Sequence, residues 1–153
     1  EKPNIGGFDS IAMLFSANKN VELQDVTKVA SGGEIARLML SLKAIISSCC
    51  CLPTLIFDEI DTGVSGPVAA KMASLMLRIS NSSQVICITH LPQIAAMGEH
   101  HYKVYKIESN EETTTHMVRL SDEERIVEIA KMLSGENLTD EAISNAIILL
   151  KQK

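Results

Sequence analysis

The stretch LIFDEIDTGVSG, residues 55–66, carries the strongest structural pattern of the chain. It begins with a short apolar run that is too compact for a helix and that is followed by Asp58 and Glu59. This pattern predicts a buried parallel strand. Ligands bind at the carboxyl ends of the strands in open α/β sheets. Side chains alternate along a strand, so the two carboxylates can do different jobs. One can hold Mg²⁺ or its water, and the other can orient or deprotonate an attacking water. Acidic residues also follow strands simply because loops are exposed to solvent, and in that case they have no catalytic role.

The segments around this strand predict an α/β unit. Apolar residues at helical spacing indicate a helix over residues 35–46 and a second helix over residues 68–79. Between the end of the second helix and His90, the run 84–89 (QVICIT) is typical of another buried strand. Strand, helix and strand then alternate, which predicts a parallel sheet with a right-handed crossover.

His90 follows the second predicted strand at the equivalent edge of the sheet. A polar cluster of Asp58, Glu59 and His90 is therefore expected at one site. There His90 can hydrogen-bond a phosphate oxygen or the attacking water. Taken alone, a histidine after a strand is more often a turn or capping residue.

Two glycine motifs flank helix starts. Ser31-Gly32-Gly33-Glu34 fits a capping box with Ser31 as N-cap and Glu34 at the third helical position. The two glycines also bare backbone N–H groups at the positive end of a helix, which attracts phosphate. The loop 62–67 (TGVSGP) follows the acidic pair. Considered without the other motifs, it is typical of a connector between a strand and a helix.

The outer parts of the chain carry further elements. Residues 9–17 predict a strand, which is followed by a polar connector to residue 30. Beyond His90 we expect a short helix over 91–97, a β-hairpin of 102–107 and 113–120, a helix opened by the capping box of Ser121 and Glu124, and a last helix over 139–150.

Composition limits the classes of function. With 153 residues, 46% of them hydrophobic and 22% charged, the chain suits one globular domain. Its 14 basic and 19 acidic residues give a net charge of -5, which argues against a dedicated nucleic-acid surface on this piece. The four cysteines lack metal-ligand spacing and indicate reduced thiols in the cytosol. No apolar run is long enough for a membrane span, and no signal peptide is visible.

One expected motif is missing from the sequence. A phosphate-binding loop of the form GxxxxGK[ST] is not found among the eight glycines. Either the polar cluster arises by coincidence and is not a nucleotide site, or the phosphate-binding loop lies on another segment. The chain also starts at Glu1 without an initiator methionine, so we expect it to be a piece of something longer.

Taken together, these motifs resemble those of a known family. Residues 31–34 look like the signature motif of ABC ATPases, 54–59 like Walker B, 62–65 like the D-loop, and His90 like the switch histidine. The flanks FSANKN, KVASGGEIARLMLSLK and THLPQIAA resemble the RecN family of bacterial DNA repair proteins, which are related to SMC proteins. This resemblance extends from about Asp9 to Leu150.

The resemblance implies that residues 1–153 form the carboxyl-terminal lobe of an ABC/SMC-type P-loop NTPase head. That lobe would be a mainly parallel sheet flanked by helices, with a β-hairpin and carboxyl-terminal helices. The P-loop half and a long coiled coil would precede it. Two heads would sandwich ATP and Mg²⁺ in a cytoplasmic, nucleoid-associated protein that repairs double-strand breaks and binds DNA outside this acidic piece.

The resemblance also assigns roles by residue. Asp58 would serve Mg²⁺, Glu59 would be the general base, and His90 would sense the γ-phosphate. The residues that would act on ATP held by the opposing head are Ser31, Gly32, Gly33 and Glu34 of the signature motif, with Ser65 and Gly66 of the D-loop between the two sites.

Two other functions fit the same motifs. A nucleotide-binding domain of an ABC transporter has the same motif order, although its P-loop normally lies in the same uninterrupted domain. A non-catalytic interaction module would use the glycine turns and caps only as structure.

Overall fold

A computed structural model describes residues 3, 5–9, 11–16, 19–26, 32–50, 52–64, 66–109 and 112–152. The elements, in chain order, are strands β1 (Leu14–Phe15) and β2 (Gln24–Asp25), helix α1 (Gly32–Cys49), strand β3 (Thr54–Asp58), helix α2 (Gly66–Ser80), strand β4 (Gln84–Ile88), helix α3 (Pro92–Met97), strands β5 (Tyr102–Glu108) and β6 (Thr113–Arg119), and helices α4 (Asp122–Ser134) and α5 (Asp140–Leu150).

The centre of the fold is the parallel pair of β3 and β4, which α2 connects. Their register runs from Thr54 opposite Gln84 to Asp58 opposite Ile88. The parallel pairing and the intervening helix are as the sequence predicts. Side chains of both strands and of three helices share one core, whose buried members are Leu40, Leu55, Phe57, Ile60, Val64, Ala69, Met72, Ala73, Met76, Ile79 and Ile94.

The predicted burial of these strands holds on one face only. Leu55 and Phe57 are buried, whereas Ile56, Ile86 and Ile88 are 58%, 44% and 57% exposed. The difference arises because the described helices cover one side of the strand pair, and alternation sends every second side chain to the other side. The apolar second face is what makes the sequence look like a doubly buried strand.

The described residues form three two-stranded sheets, of which β3–β4 is the parallel one. The antiparallel hairpin of β5 and β6 agrees with the prediction. Among the described residues of the expected amino-terminal strand, only Leu14 and Phe15 form a strand, and they pair with β2 inside the predicted polar connector. Ile11 and Met13 remain exposed because no described element packs on them, so the apolar run does not become a longer strand. Ser10 and Ala17, which belong to that prediction, lie outside the described residues.

The carboxyl-terminal helices form a second core with α3. Its buried members are Ala96, Ile129, Ala130, Ala142 and Ala146. The predicted capping box opens α4: the Ser121 N–H donates to the Glu124 carboxylate at 2.8 Å, and the Glu124 N–H donates to Ser121 Oγ at 3.3 Å. These two bonds satisfy donors that a helix start otherwise leaves unpaired. No described helix is long and apolar enough to span a membrane.

Arg125 joins α4 to the end of α3. This arginine is 6% exposed. Its guanidinium donates to the backbone carbonyls of Ala96 at 2.7 Å, Glu99 at 3.2 Å and Ala95 at 3.3 Å, and also to that of Gly98. A buried cation at a helix carboxyl end satisfies unpaired carbonyls and complements the helix dipole.

Replacing Arg125 with Met tests this connection. Arg125→Met removes the donor from four carbonyls, so we expect the free energy of unfolding to fall by about 2–4 kcal/mol in urea titrations. Arg78→Met, at an exposed position in the last turn of α2, is the matched control. A loss no larger than that of the control would show that Arg125 does not hold α3 against α4.

Candidate functional site

The loop after β3 begins with the two predicted acids. Asp58 is the last residue of the strand and is exposed. Glu59 has a φ of 50°, the only positive value among the described non-glycine residues. The extended chain therefore ends at Asp58, and Glu59 is not simply the next position on the opposite face. Left-handed non-glycine backbone costs energy and is concentrated at functional sites.

A third acid in the same loop contacts the end of β4. Asp61 is 1% exposed. Its Oδ2 accepts hydrogen bonds from Thr89 Oγ1 at 2.5 Å and from the His90 N–H at 3.0 Å, and it lies 3.2 Å from His90 Nδ1. Thr89 Oγ1 in turn accepts from the Leu91 N–H at 3.0 Å. Buried carboxylates persist when hydrogen-bond donors replace water in this way.

Sequence reasoning missed Asp61. It comes two residues after the acidic pair and is easily taken for another solvent-exposed acidic residue of the loop. A usable signal was the apolar Ile60 immediately before it, since Ile60 is itself buried and draws the loop into the core. The partners on the other strand are distant in sequence, so no local spacing reveals the contact.

The strand ends place a concentration of negative charge beside a thiol. Burial raises the pKa of Cys87 to about 11, and the Asp61 and Asp58 carboxylates add to the increase. Cys87 is the register partner of Phe57, one residue before Asp58. Both acids therefore lie near the same edge of the strand pair as this thiol.

The start of α1 packs against the loop that contains Asp61. A Cβ added to Gly33 would lie 2.9 Å from the backbone oxygen of Thr62, whereas one added to Gly32 would meet nothing within 4 Å. Gly33 thus permits a close approach between helix and loop, and Gly32 keeps an open surface. Thr62 is tied back to the acidic pair, because its N–H and its hydroxyl both donate to the Glu59 carbonyl, at 3.3 Å and 3.0 Å.

The described site residues therefore occupy two connected regions. Asp58, Glu59 and His90 lie at the carboxyl ends of the paired strands, and the carboxylate that touches the His90 ring is that of Asp61. Gly32, Gly33 and Glu34 open α1, and Gly66 opens α2. Ser31 and Ser65 lie outside the described residues, so the predicted cap at Ser31 has no structural test. The catalytic and binding roles of all these residues stay predictions.

Comparison with known proteins defines the class of the fold. A solved structure from a study of ATP-driven dimerization and DNA-stimulated activation of SMC ATPases matches 77% of this chain and 70% of that chain, with a TM-score of 0.55 and 21% identity. The chain thus has the α/β fold of an SMC-type ATPase head lobe, as its motifs predict. A scan against protein-family models found no match.

Sequence comparison finds relatives of this chain among the RecN DNA repair proteins. The chain is 43% identical over 144 residues to the DNA repair protein RecN of Vibrio cholerae, covering 94% of this chain and 26% of that protein. It is 45% identical over 146 residues to RecN of Bacillus subtilis, covering 95% and 25%. The chain is therefore homologous to the RecN DNA repair proteins, as predicted, and spans about a quarter of their length.

The two signature glycines give a matched pair of substitutions. Gly33→Ala forces α1 away from the Thr62 backbone, and we expect it to lower the free energy of unfolding by about 1–3 kcal/mol. Gly32→Ala places the same methyl group in open space near the start of the same helix, so it should change stability by less than about 0.5 kcal/mol. Urea titration of both variants checks this, and equal effects would contradict the close approach at Gly33.

Proposed function

We propose that residues 1–153 are the carboxyl-terminal part of an ATPase head in a longer SMC-like protein that acts in recombinational repair of DNA double-strand breaks. The observation that carries the proposal is the homology to RecN proteins over about 95% of the chain. The signature, Walker B, D-loop and histidine motifs all occur within this homologous region. The same homology favours repair over transport or a purely structural module.

Asp58 is the residue that would hold Mg²⁺, directly or through water. Mg²⁺ is usually bound by one or two carboxylates, several waters and the phosphates of the nucleotide, so a single exposed carboxylate fits this metal. Among the described residues, no three His, Cys, Asp or Glu side chains form a closed metal cluster, and this mode of binding requires none. When bound, the ion would neutralise charge on the phosphates during hydrolysis.

Glu59 is the residue that would activate the attacking water. It follows the metal-binding position directly, and its left-handed backbone turns the chain away from the strand direction. His90 would contact the γ-phosphate or the water from the neighbouring strand. A general base in reach of its proton contributes about 10²–10⁴ in rate.

The glycine motifs would bind ATP held by a second copy of the head. Gly32 keeps an open surface at the start of the 18-residue helix α1, where N–H groups attract phosphate. Gly33 and Glu34 continue this segment, and Ser31 precedes it. Ser65 and Gly66 would lie between the two nucleotides. ATP hydrolysis would then depend on a dimer of heads.

The amino-terminal half of the same head would supply the P-loop. Support comes from the exposed face of β3 and β4, where Ile56, Ile86 and Ile88 form an apolar surface. The cavity that Asp58 lines has a volume of about 130 Å³, below the roughly 300–1,000 Å³ of typical small-molecule sites.

DNA would bind elsewhere on the complete protein, given the charge of -5 on this part. We place that protein in the cytoplasm, at the nucleoid.

The chain by itself should not hydrolyse ATP. It has the predicted residues for Mg²⁺ and the attacking water but no phosphate-binding loop. We expect phosphate release in a Mg²⁺–ATP assay to equal that of buffer. Turnover that persists through further purification and is lost in Glu59→Gln would contradict the proposed division of the site.

In the full-length protein, Glu59→Gln should trap ATP-bound head dimers. The amide keeps the size of the side chain but cannot take the proton of water, so we expect kcat to fall at least about 100-fold while ATP binding persists. Size-exclusion chromatography with light scattering, with and without ATP, measures the dimer. Glu123→Gln, an exposed acid on α4, is the matched control. Hydrolysis by Glu59→Gln at the control rate would rule out Glu59 as the base.

A further inference from the structure

Asp61 is buried more completely than the other acids at this edge of the strand pair. It is 1% exposed and belongs to the three largest fully buried side chains, with Leu40 and Ile129. A single oxygen, Oδ2, receives the Thr89 hydroxyl and the His90 N–H and also contacts His90 Nδ1. Burying a carboxylate is costly, so such a residue needs a compensating set of donors, which this geometry supplies.

The contacts determine which nitrogen of the His90 ring carries the proton. An ionised carboxylate only accepts hydrogen bonds, and Oδ2 already accepts two others. Nδ1, at 3.2 Å, must therefore be protonated to face it. The rest of the His90 side chain is open, since 71% of it is exposed. The ring is thus held at Nδ1 and available at Nε2.

We propose that Asp61 is a positioning residue that fixes the His90 ring with Nδ1–H on the carboxylate and Nε2 directed to the reacting phosphate. The inference rests on the proposed ATPase function. In the neutral ring Nε2 accepts a hydrogen bond from the attacking water, and in the protonated ring it donates to a phosphate oxygen. Both uses need the same orientation. A carboxylate that orients a histidine in this way acts through the histidine and need not touch the substrate.

The alternative is a structural connection only. Asp61 also links the loop after β3 to the end of β4 through Thr89 and the His90 backbone. Asp61→Asn separates the two roles, because the amide has the same size and its oxygen can still accept from these two groups. The neutral oxygen makes weaker hydrogen bonds than a carboxylate, so its hold on Nδ1–H is reduced.

The first test is the protonation state of His90 in this chain. Nitrogen-15 NMR of the histidine rings, assigned with His90→Ala, reports which nitrogen is protonated in the neutral ring. We expect Nδ1–H in the parent chain and a shift of population towards Nε2–H in Asp61→Asn. A parent spectrum with the proton on Nε2 overturns the assignment, whatever the effect of the substitution on folding.

The second test is a double-mutant cycle on ATP hydrolysis by the full-length protein. Asp61→Asn should lower kcat about 10–100-fold and change KM for ATP less than about twofold, because the ring orientation matters most at the transition state. In a His90→Ala background the same substitution should cost less than about threefold, because its effect passes through the ring. Equal losses in both backgrounds overturn the positioning role.

Gln84→Met, which removes the acceptor of a hydrogen bond from Thr54, is the matched control. Thr54 Oγ1 donates to Gln84 Oε1 at 3.0 Å and links the same two strands at their other end. Loss of this hydrogen bond should leave kcat unchanged. A fall in kcat like that of Asp61→Asn would mean that any weakening of the strand pair is enough to slow hydrolysis, and it would overturn the proposal. A full-length parent without ATPase activity refutes the proposed function instead, and the NMR spectrum then decides the Asp61–His90 assignment alone.

Discussion

The hydrogen bonds of one buried carboxylate connect the two strand ends on which the site is built. Asp61 belongs to the loop after β3, and its partners Thr89 and His90 follow β4. Without these bonds, the parallel pair would align the strands but would not determine where the chain goes after each of them. The loop geometry, the position of His90 and the start of α3 through the Leu91 N–H all depend on this oxygen. Its burial makes the arrangement specific, because an unpaired carboxylate there would be costly.

A buried charged side chain also connects two elements at the other end of α3. Arg125 donates to carbonyls at the end of α3 and so joins the first core to the second. Both residues are charged, buried and bonded to backbone groups of an element that is distant in sequence. The apolar cores supply the general attraction between layers, whereas these two side chains determine how consecutive layers meet. A short helix such as α3 has little stability of its own and needs such external partners.

Much of the secondary structure followed from local patterns. The apolar periodicity of α1 and α2, the compact runs of β3 and β4, and the Ser121–Glu124 capping box each have a local physical cause, and each was found where expected. The prediction at residues 9–17 was wrong in extent because an apolar run becomes a strand only when another strand pairs with it. One face of β3 and β4 is apolar and yet exposed, because a sequence shows which side chains are apolar and not what covers them.

The order of the motifs and the homology that they indicate can be read from the sequence without a structure. The sequence also placed Asp58, Glu59 and His90 at strand ends, because the length and pattern of the apolar runs determine where strands stop. Two contacts depend on tertiary packing. The His90 ring is contacted by Asp61 and not by the acidic pair, and Gly33 is needed for the approach of α1 to Thr62. Both contacts join residues 29 positions apart, and contacts over such separations depend on packing that no local pattern encodes.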